Sequence, residues 1–324
     1  MADCFLYKLP NELLIHLLTP MTTPELLPLA TLSHRIYTII LRILHNRLVI
    51  ASELDSHSVL LECFHPSAKL TEPPYFCTYL GTDGLDLYDG FAENDKNLAK
   101  RLGAMRNTYS RFRPHRRELE AGGRRVRRPP GDVPGSRTFA GTAKDGFDGD
   151  AVKQTLSLEA HELFTQLVAQ THLVHIASEH GGFTRFVPME EGVIRVWRDW
   201  LREMTVKNKD LKTDRLEVTG EVGTRKEKVD STDVPGEYHG IDDQRILWVS
   251  TNKDTGIRFI VRERKIRRDI PILIRADEED VAVSYEIEYD EIFIRTSHLL
   301  LMLEKSLVQD DNASGQAVVF GSFG

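Results

Sequence analysis

Residues 9–37 constrain the fold most, because apolar residues recur there at helical spacing on both sides of a proline-containing break. Intervals of one, three and four residues place each apolar set on one face of an amphipathic helix. The two sets are Leu13, Leu14, Leu17 and Leu18, and then Leu26, Leu29, Ala30 and Ser33. Pro10 suits the first position of a helix, whereas Pro20 and Pro24 interrupt helical hydrogen bonding between the sets. Helices this short cannot bury both stripes among themselves, so we expect the unit to pack against another surface.

The residue order in this stretch resembles the F-box, which begins with Leu-Pro and Glu, continues with paired leucines, and ends in a leucine-rich helix followed by Ser, Arg and an aromatic residue. The residues that carry the resemblance are Leu9, Pro10, Glu12, Leu13, Leu14, Leu26, Leu27, Leu29, Leu32, Ser33, Arg35 and Tyr37. The resemblance implies that residues 4–50 form a helical unit that docks on the Skp-type adaptor of cullin-based ubiquitin ligases. The residues implied in adaptor binding are Leu9, Pro10, Leu13, Leu14, Leu17, Leu26, Leu27, Leu29 and Leu32. The alternative interpretation is an ordinary helical hairpin packed on its own domain.

The composition is that of a globular protein with enough apolar residues for a substantial core. Of its residues, 41% are hydrophobic and 28% are charged. The length of 324 residues suggests two domains. The three cysteines, Cys4, Cys63 and Cys77, lack metal-binding spacing, which favours a reducing compartment. The sequence starts without a secretory pattern, and its apolar runs are too short to span a bilayer. We therefore expect a soluble protein of the cytoplasm, the nucleus or both, without a membrane partner.

Residues 51–105 and 151–308 predict an α+β domain for substrate recognition, built on an antiparallel β-sheet or sandwich with one or two helices. Alternating or short apolar runs predict strands at 75–80, 183–187, 246–250, 257–261, 271–274 and 281–290. Residues 252–256 predict a hairpin turn, and a change of phase at Asp290 and Glu291 predicts either a bulge or a turn. A helix is predicted at 158–177, with Ser157 as its N-cap.

Other segments are less regular. Residues 57–61 suggest a further helical turn, residues 192–200 fit either a helix or a strand, and so do residues 299–307. The polar residues 205–244 predict a long loop. The order of elements is similar in style to the C-terminal domains of fungal F-box proteins and to phloem-protein-like, lectin-like β-sandwiches, mainly through residues 197–201 and 283–291.

Residues 106–150 are rich in Arg, Gly, Pro and Asp and poor in large apolar residues, so they predict a disordered basic insertion. Its arginine run at 124–128 is open to three interpretations: a solvated loop, a nuclear-import signal, or an arm that contacts nucleic acid. Four aspartates follow the run, and no aromatic residue interleaves with it, so nucleic-acid binding is not expected. Residues 309–324 predict a flexible tail.

Several groups of polar or aromatic residues carry chemistry elsewhere but have a simpler interpretation here. The groups are His161, His172, His175 and His180; Asp83, Asp86 and Asp89; Glu286, Glu288, Asp290 and Glu291; and the candidate ligand-stacking residues Trp197, Trp200 and Trp248. His172 and His175 are one turn apart, but no cysteine at ligand spacing completes a zinc site, and the aspartates lack the spacing of a calcium loop. Alternation places Glu286, Glu288 and Asp290 on the wet face of one strand. Phosphate loops, nucleophile elbows and dinucleotide fingerprints are missing from the sequence. We therefore predict no catalytic residue, metal or cofactor.

The leading hypothesis is a non-catalytic substrate-recognition subunit of a Skp-cullin-type ubiquitin ligase. Its predicted partners are the Skp-type adaptor with its cullin complex and a protein substrate. The first alternative is a lectin-like or peptide-binding module without a ligase role, and the second is a nucleic-acid binder that uses the basic arm.

Overall fold

The structure is a computed structural model that describes residues 8–54, 56–68, 74–85, 98–115, 151–159, 161–176, 183–217, 243–264 and 283–308. The helices of these ranges are α1 (Asn11–Leu18), α2 (Thr23–Leu29), α3 (His34–Glu53), α4 (Leu98–Arg106), α5 (Arg198–Glu217) and α6 (Thr296–Val308). The strands are β1 (His57–Phe64), β2 (Tyr75–Thr82), β3 (Tyr109–His115), β4 (Lys153–Leu158), β5 (Phe164–Ile176), β6 (Phe183–Trp197), β7 (Ile246–Trp248), β8 (Thr255–Arg264) and β9 (Val283–Arg295). None of the described helices combines the length and hydrophobicity that crossing a bilayer requires.

Helices α1, α2 and the first half of α3 form a helical unit around one small core. The buried side chains of this core are Leu14, Leu18, Leu26, Ile36, Ile39, Ile40, Ile43 and Leu44. A capping box begins α2, where the backbone N–H of Thr22 donates to the Glu25 carboxylate at 2.7 Å. This backbone hydrogen bond lowers the pKa of Glu25. The Ser33 hydroxyl accepts from the N–H of Ile36 and caps α3. Both predicted leucine-rich helices are thus confirmed as helices.

The second half of α3 leaves the helical unit and packs against the rest of the protein. Its buried residues share a core with α4 and α6, formed by Leu41, Leu48, Ala51, Leu85, Met105 and Leu300. The helix ends at Leu54, which adopts a left-handed conformation with a φ of 49°. A single continuous helix of 20 residues therefore belongs to both units and joins them without a linker.

The described strands form one antiparallel sheet that is nearly closed. The strand order is β6-β5-β1-β2-β3-β9-β8-β7, and β4 also pairs with β9. Strands β3 and β4 follow one another along the same edge of β9, because β4 pairs with its first half and β3 with its second. The concave side holds the main core, in which the rings of Phe259 and Tyr289 meet edge to face at 5.1 Å. Leu201 and Met204 of α5 and Leu299 of α6 enter this core.

The predicted mixed helix–strand fold with an antiparallel sheet is confirmed, and the sheet is a single curved one. Strand β9 is buried at every second residue from Tyr285 to Tyr289, as its alternation predicts. Arg258 pairs with Glu291 and Phe259 with Tyr289, which leaves Asp290 as the extra residue of the predicted bulge. The hairpin turn at 252–256 is also confirmed, since it joins β7 to β8.

Five sequence predictions are wrong. The helix at 158–177 is strand β5, preceded by β4, in which Ser157 pairs with Ser284 and caps no helix. Residues 57–61 belong to strand β1, and helix α5 extends to Glu217 into the loop predicted at 205–244. The described residues of the sheet domain contain three helices, α4, α5 and α6, where one or two were predicted. Of the ambiguous segments, residues 192–200 divide into the end of β6 and the start of α5, and residues 299–307 lie in α6.

The fifth wrong prediction concerns the disordered insertion at 106–150, which begins too early in the sequence. Its first residues include β3, a strand of the sheet whose Phe112 is fully buried. The end of β3 forms an antiparallel bridge between His115 and Ala151. Residues 116–150 with the arginine run, the predicted strand at 271–274 and the predicted tail at 309–324 lie outside the described residues.

Candidate functional site

The leucines of the helical unit divide into a buried and an exposed set. Leu14, Leu18 and Leu26 fill the unit's own core and expose at most 6% of their surface. Four others, Leu13, Leu17, Leu27 and Leu32, expose between 41% and 61%. Leu13 and Leu17 are one turn apart and therefore share one face of α1.

The nine residues expected to bind the adaptor are thus not equivalent. Pro10, Leu13, Leu17, Leu27 and Leu32 are exposed, Leu9 and Leu29 are half-buried, and Leu14 and Leu26 are buried. The exposed residues can contact a partner without unfolding the unit, and so can the exposed parts of Leu9 and Leu29, whereas Leu14 and Leu26 cannot. The buried pair instead holds α1 and α2 against α3.

A half-buried ion pair fixes the helical unit to α6. The Arg47 guanidinium lies 3.0 Å from the Glu304 carboxylate and also donates to the Thr23 hydroxyl and to the carbonyls of Thr19 and Met21. Glu304 in turn accepts from the backbone N–H of Thr23 at 3.1 Å and from its hydroxyl at 2.6 Å. A carboxylate at this first turn of α2 also complements the helix dipole. Glu304 therefore caps α2 from a residue 281 positions away in the chain.

A cleft of about 530 Å³ opens where the two ends of the sheet face each other. It is lined by Gln166 of β5, by Val193, Ile194 and Arg195 of β6, and by Leu247 and Trp248 of β7. Strands β6 and β7 each pair with one neighbour among the described strands, so each has an open edge. We call this region the β6–β7 seam.

The seam is tightest at Gly192. A Cβ atom added there would lie 2.6 Å from the carbonyl oxygen of Val249 and 2.7 Å from its side chain, so only glycine permits this approach. On the β7 side, the turn before the strand is fixed by Arg245, which binds the Asp243 carboxylate with two hydrogen bonds of 2.7 and 3.0 Å. Burial acts to raise the pKa of Asp243, but these bonds outweigh it and lower the pKa.

The three tryptophans lie in different surroundings, each against its own aromatic partner. Trp197 is 48% exposed and packs on Phe164 at 5.0 Å. Trp200 packs on the core residue Phe259, and its indole N–H donates to the carbonyl of Gln244. Trp248 contacts Tyr109 and lines the seam. Only Trp197 and Trp248 are therefore placed for contact with a ligand at this side of the sheet.

The carboxylates of β9 are on its outer side, as alternation predicts, but they are paired with arginines. Arg258 lies 2.8 Å from Asp290 and 2.9 Å from Glu291, and Arg262 lies 3.1 Å from Glu288. These ion pairs link β8 to β9 across the sheet.

The predicted histidine group has no metal-binding geometry among its described members. His172 packs on Phe186, and His175 meets His57 at 4.8 Å. In the described part of the chain, no three His, Cys, Asp or Glu residues are grouped so that they could hold a metal ion. Asp86, Asp89 and His180 lie outside that part.

Comparison with protein-family models, with curated proteins and with solved structures gives no match for this chain. Sequence reasoning missed Arg47, Glu304 and Arg195. Arg47 had a visible signal, since it is a charge within the apolar pattern of α3, but its partner in α6 did not.

Proposed function

We propose that this chain is the substrate-recognition subunit of a Skp-cullin-type ubiquitin ligase, in which the helical unit binds the Skp-type adaptor and the sheet domain binds a protein substrate. The observation that carries the proposal is the exposure of Leu13, Leu17, Leu27 and Leu32 beside a core that is already complete. Together with the F-box-like order of residues 9–37, this apolar surface supports docking on an apolar groove.

The division of the leucines matters because it separates two roles that the sequence pattern merges. A helical hairpin that only packs on its own domain would turn both sets inward. Here Leu14 and Leu26 are buried in the unit's own core. The four exposed leucines belong to none of the buried clusters of the described residues, so their surface is available to a partner.

The attachment of the unit supports a positional role. Helix α3 is shared by both units, and Glu304 and Arg47 fix the start of α2 to α6. A substrate held on the sheet domain would thus stay at a set distance from the adaptor. Such a subunit raises the local concentration of the substrate near a ubiquitin-charged enzyme and needs no nucleophile of its own.

The test measures binding of the full-length chain to purified Skp-type adaptor by calorimetry, with wild type and the double variant Leu13→Asp/Leu17→Asp. Burial of two half-exposed leucines contributes about 2–3 kcal/mol, and the variant would bury two carboxylates instead. We expect binding to weaken at least about 100-fold. The full chain is needed because α3 shares a core with α4 and α6.

The matched control is Ile50→Asp/Val206→Asp, which adds the same charge at two exposed apolar residues outside the leucine set. Both double variants should keep the unfolding temperature of the wild type, since exposed substitutions change stability by about 0.5 kcal/mol or less. The proposal is supported if wild type and the control variant bind the adaptor and the leucine variant does not. Equal binding by both variants, or no binding by wild type, would refute it.

A further inference from the structure

We propose that the β6–β7 seam binds an extended peptide of the substrate as an added β-strand. The peptide has a central acidic residue and an apolar residue two positions before it and two positions after it. The pattern is apolar–x–acidic–x–apolar, where x is any residue. This inference rests on the proposed function for the origin of the peptide, but the seam's chemistry is argued from the sheet alone.

The register of β6 determines which backbone groups face the seam. The backbone N–H of Arg198, just after the strand, donates to the carbonyl of Leu163 at 2.9 Å, in register with the Phe164–Trp197 pair. Hydrogen-bonded pairs alternate along an antiparallel ladder, so residues 192, 194 and 196 bond to β5. The N–H and C=O groups of Val193, Arg195 and Trp197 therefore point to the open edge.

The same three residues turn their side chains to the outer face of the sheet. Their neighbours Ile194 and Val196 are buried in the main core, whereas Val193, Arg195 and Trp197 are exposed. An added strand would place one side chain opposite each of them, because directly opposed residues of paired strands share a face. An apolar side chain suits Val193 and Trp197, and a carboxylate suits Arg195.

The charges around the seam favour an acidic peptide. Arg195 lies over the Phe164 ring and Lys253 over the Trp248 ring, and neither has a carboxylate within ion-pair distance among the described residues. The nearby carboxylates Asp199 and Asp254 are paired with arginines at 3.9 and 3.1 Å, and Glu191, two residues before Val193 on β6, accepts a hydrogen bond from the Gln170 amide at 2.6 Å. The two flanks of the cleft therefore carry positive charge that a peptide carboxylate can balance.

The length of the open edge of β6 suits a peptide better than a small molecule. Three residues of β6 present backbone donors and acceptors over about 13 Å, the length of four to five residues of an extended chain. A strand satisfies such an edge in full. Leu247 and Trp248 form the far wall, and the contact between Gly192 and Val249 closes the cleft beyond Val193, so the added strand would end opposite Val193.

The experiment measures fluorescence anisotropy of labelled heptapeptide pools with the full-length chain, in the absence of adaptor. The pools share apolar residues (Leu, Val, Phe) at two positions and differ in the central residue, which is Asp or Glu, Lys or Arg, or Ser. We expect the acidic pool to bind at least about fivefold tighter than the basic pool. Arg195→Glu should reverse this order, whereas the control Arg106→Glu, which changes an exposed residue of α4, should not.

N-methylation tests the backbone contacts. In a strand added antiparallel to β6, the acidic and apolar residues direct their N–H groups to β6, and the x residues direct theirs away. Methylation of the former should weaken binding at least about tenfold, and methylation of the latter by less than about threefold. Equal losses from both sets, an unchanged order of pools in Arg195→Glu, or no binding of any pool would overturn the proposal.

A second copy of this chain is the competing occupant, and light scattering separates it. A wild-type dimer that Arg195→Glu converts to a monomer would assign the seam to self-association and overturn the peptide proposal. Because these assays contain no adaptor, their failure is distinct from a failure of the leucine variants to lose adaptor binding.

Discussion

Replacement of Gly192 by alanine tests whether the two ends of the sheet really meet at this residue. The new methyl group would lie 2.6 Å from the Val249 carbonyl oxygen, whereas ordinary contacts begin at 3.4 Å, so the backbone must separate by roughly 0.8 Å. A shift of this kind costs about 1–3 kcal/mol, because the obstacle is main chain and not the end of a flexible side chain. At about 2–4 °C per kcal/mol for a domain of this size, Gly192→Ala should unfold about 2–12 °C below wild type.

The assay is urea and thermal unfolding followed by tryptophan fluorescence, with Gly103→Ala as the matched control. Gly103 lies in α4 with nothing within 4 Å of an added Cβ, so alanine there should stabilise the protein by about 0.5–1 kcal/mol. The same substitution thus has opposite signs at two glycines. If Gly192→Ala is as stable as wild type, the ends of the sheet are not in contact, and the description of the seam fails.

Three further predictions concern stability. Glu304→Ala should destabilise the protein by about 2 kcal/mol in urea unfolding, because it leaves half-buried Arg47 without its carboxylate, and removing Arg47 as well should add little. Leu26→Ala should cost about 2–5 kcal/mol, and Leu27→Ala about 0.5 kcal/mol or less; similar losses for both would contradict the division of the leucines. Burial lowers the pKa of His172, and Glu191 opposes this effect only in part, so the unfolded state binds the proton more readily than the folded state. The contribution of His172 to the free energy of unfolding is therefore fully present above about pH 6.5 and is lost as the pH falls toward the folded pKa. In His172→Leu, urea midpoints at pH 7.5 and 5.5 should lie closer together than in wild type.

Local patterns predicted the elements whose two faces differ in polarity. Strand β9 alternates strictly, with Tyr285, Ile287 and Tyr289 inside, and a turn-rich segment separates β7 from β8. The sequence also placed Glu288 and Asp290 on the outer face. It could not show that Arg262 and Arg258 reach them, because the ion pairs depend on which strand is the neighbour.

Strand β5 was mistaken for a helix because its apolar residues occur on both faces. Leu167 points into the core and Val168 pairs with Val193 on the outer face, and adjacent apolar residues also fit a helical stripe. The inward positions include Ala169 and Thr171, which are small or polar and therefore weaken the signal of alternation. The five β-branched residues spread along β5 were the cue that favoured a strand.

The candidate sites depend on contacts between distant parts of the chain. The leucine-rich stretch was visible in the sequence, but its division into Leu14 and Leu26 inside and Leu13 and Leu27 outside required the position of α3. The link from Arg47 to Glu304 spans 257 residues. The seam is a product of strand order, since β6 and β7 are open only because the sheet stops short of closure.

The bridge between His115 and Ala151 has a consequence for how the gene can change. Residues 116–150 connect these two neighbours, so a longer connection would not have to separate the strands on either side. The entropy of closing a flexible loop rises only with the logarithm of its length, and each doubling costs about 0.6 kcal/mol. We therefore expect a reporter protein inserted between His115 and Ala151 to leave the sheet folded.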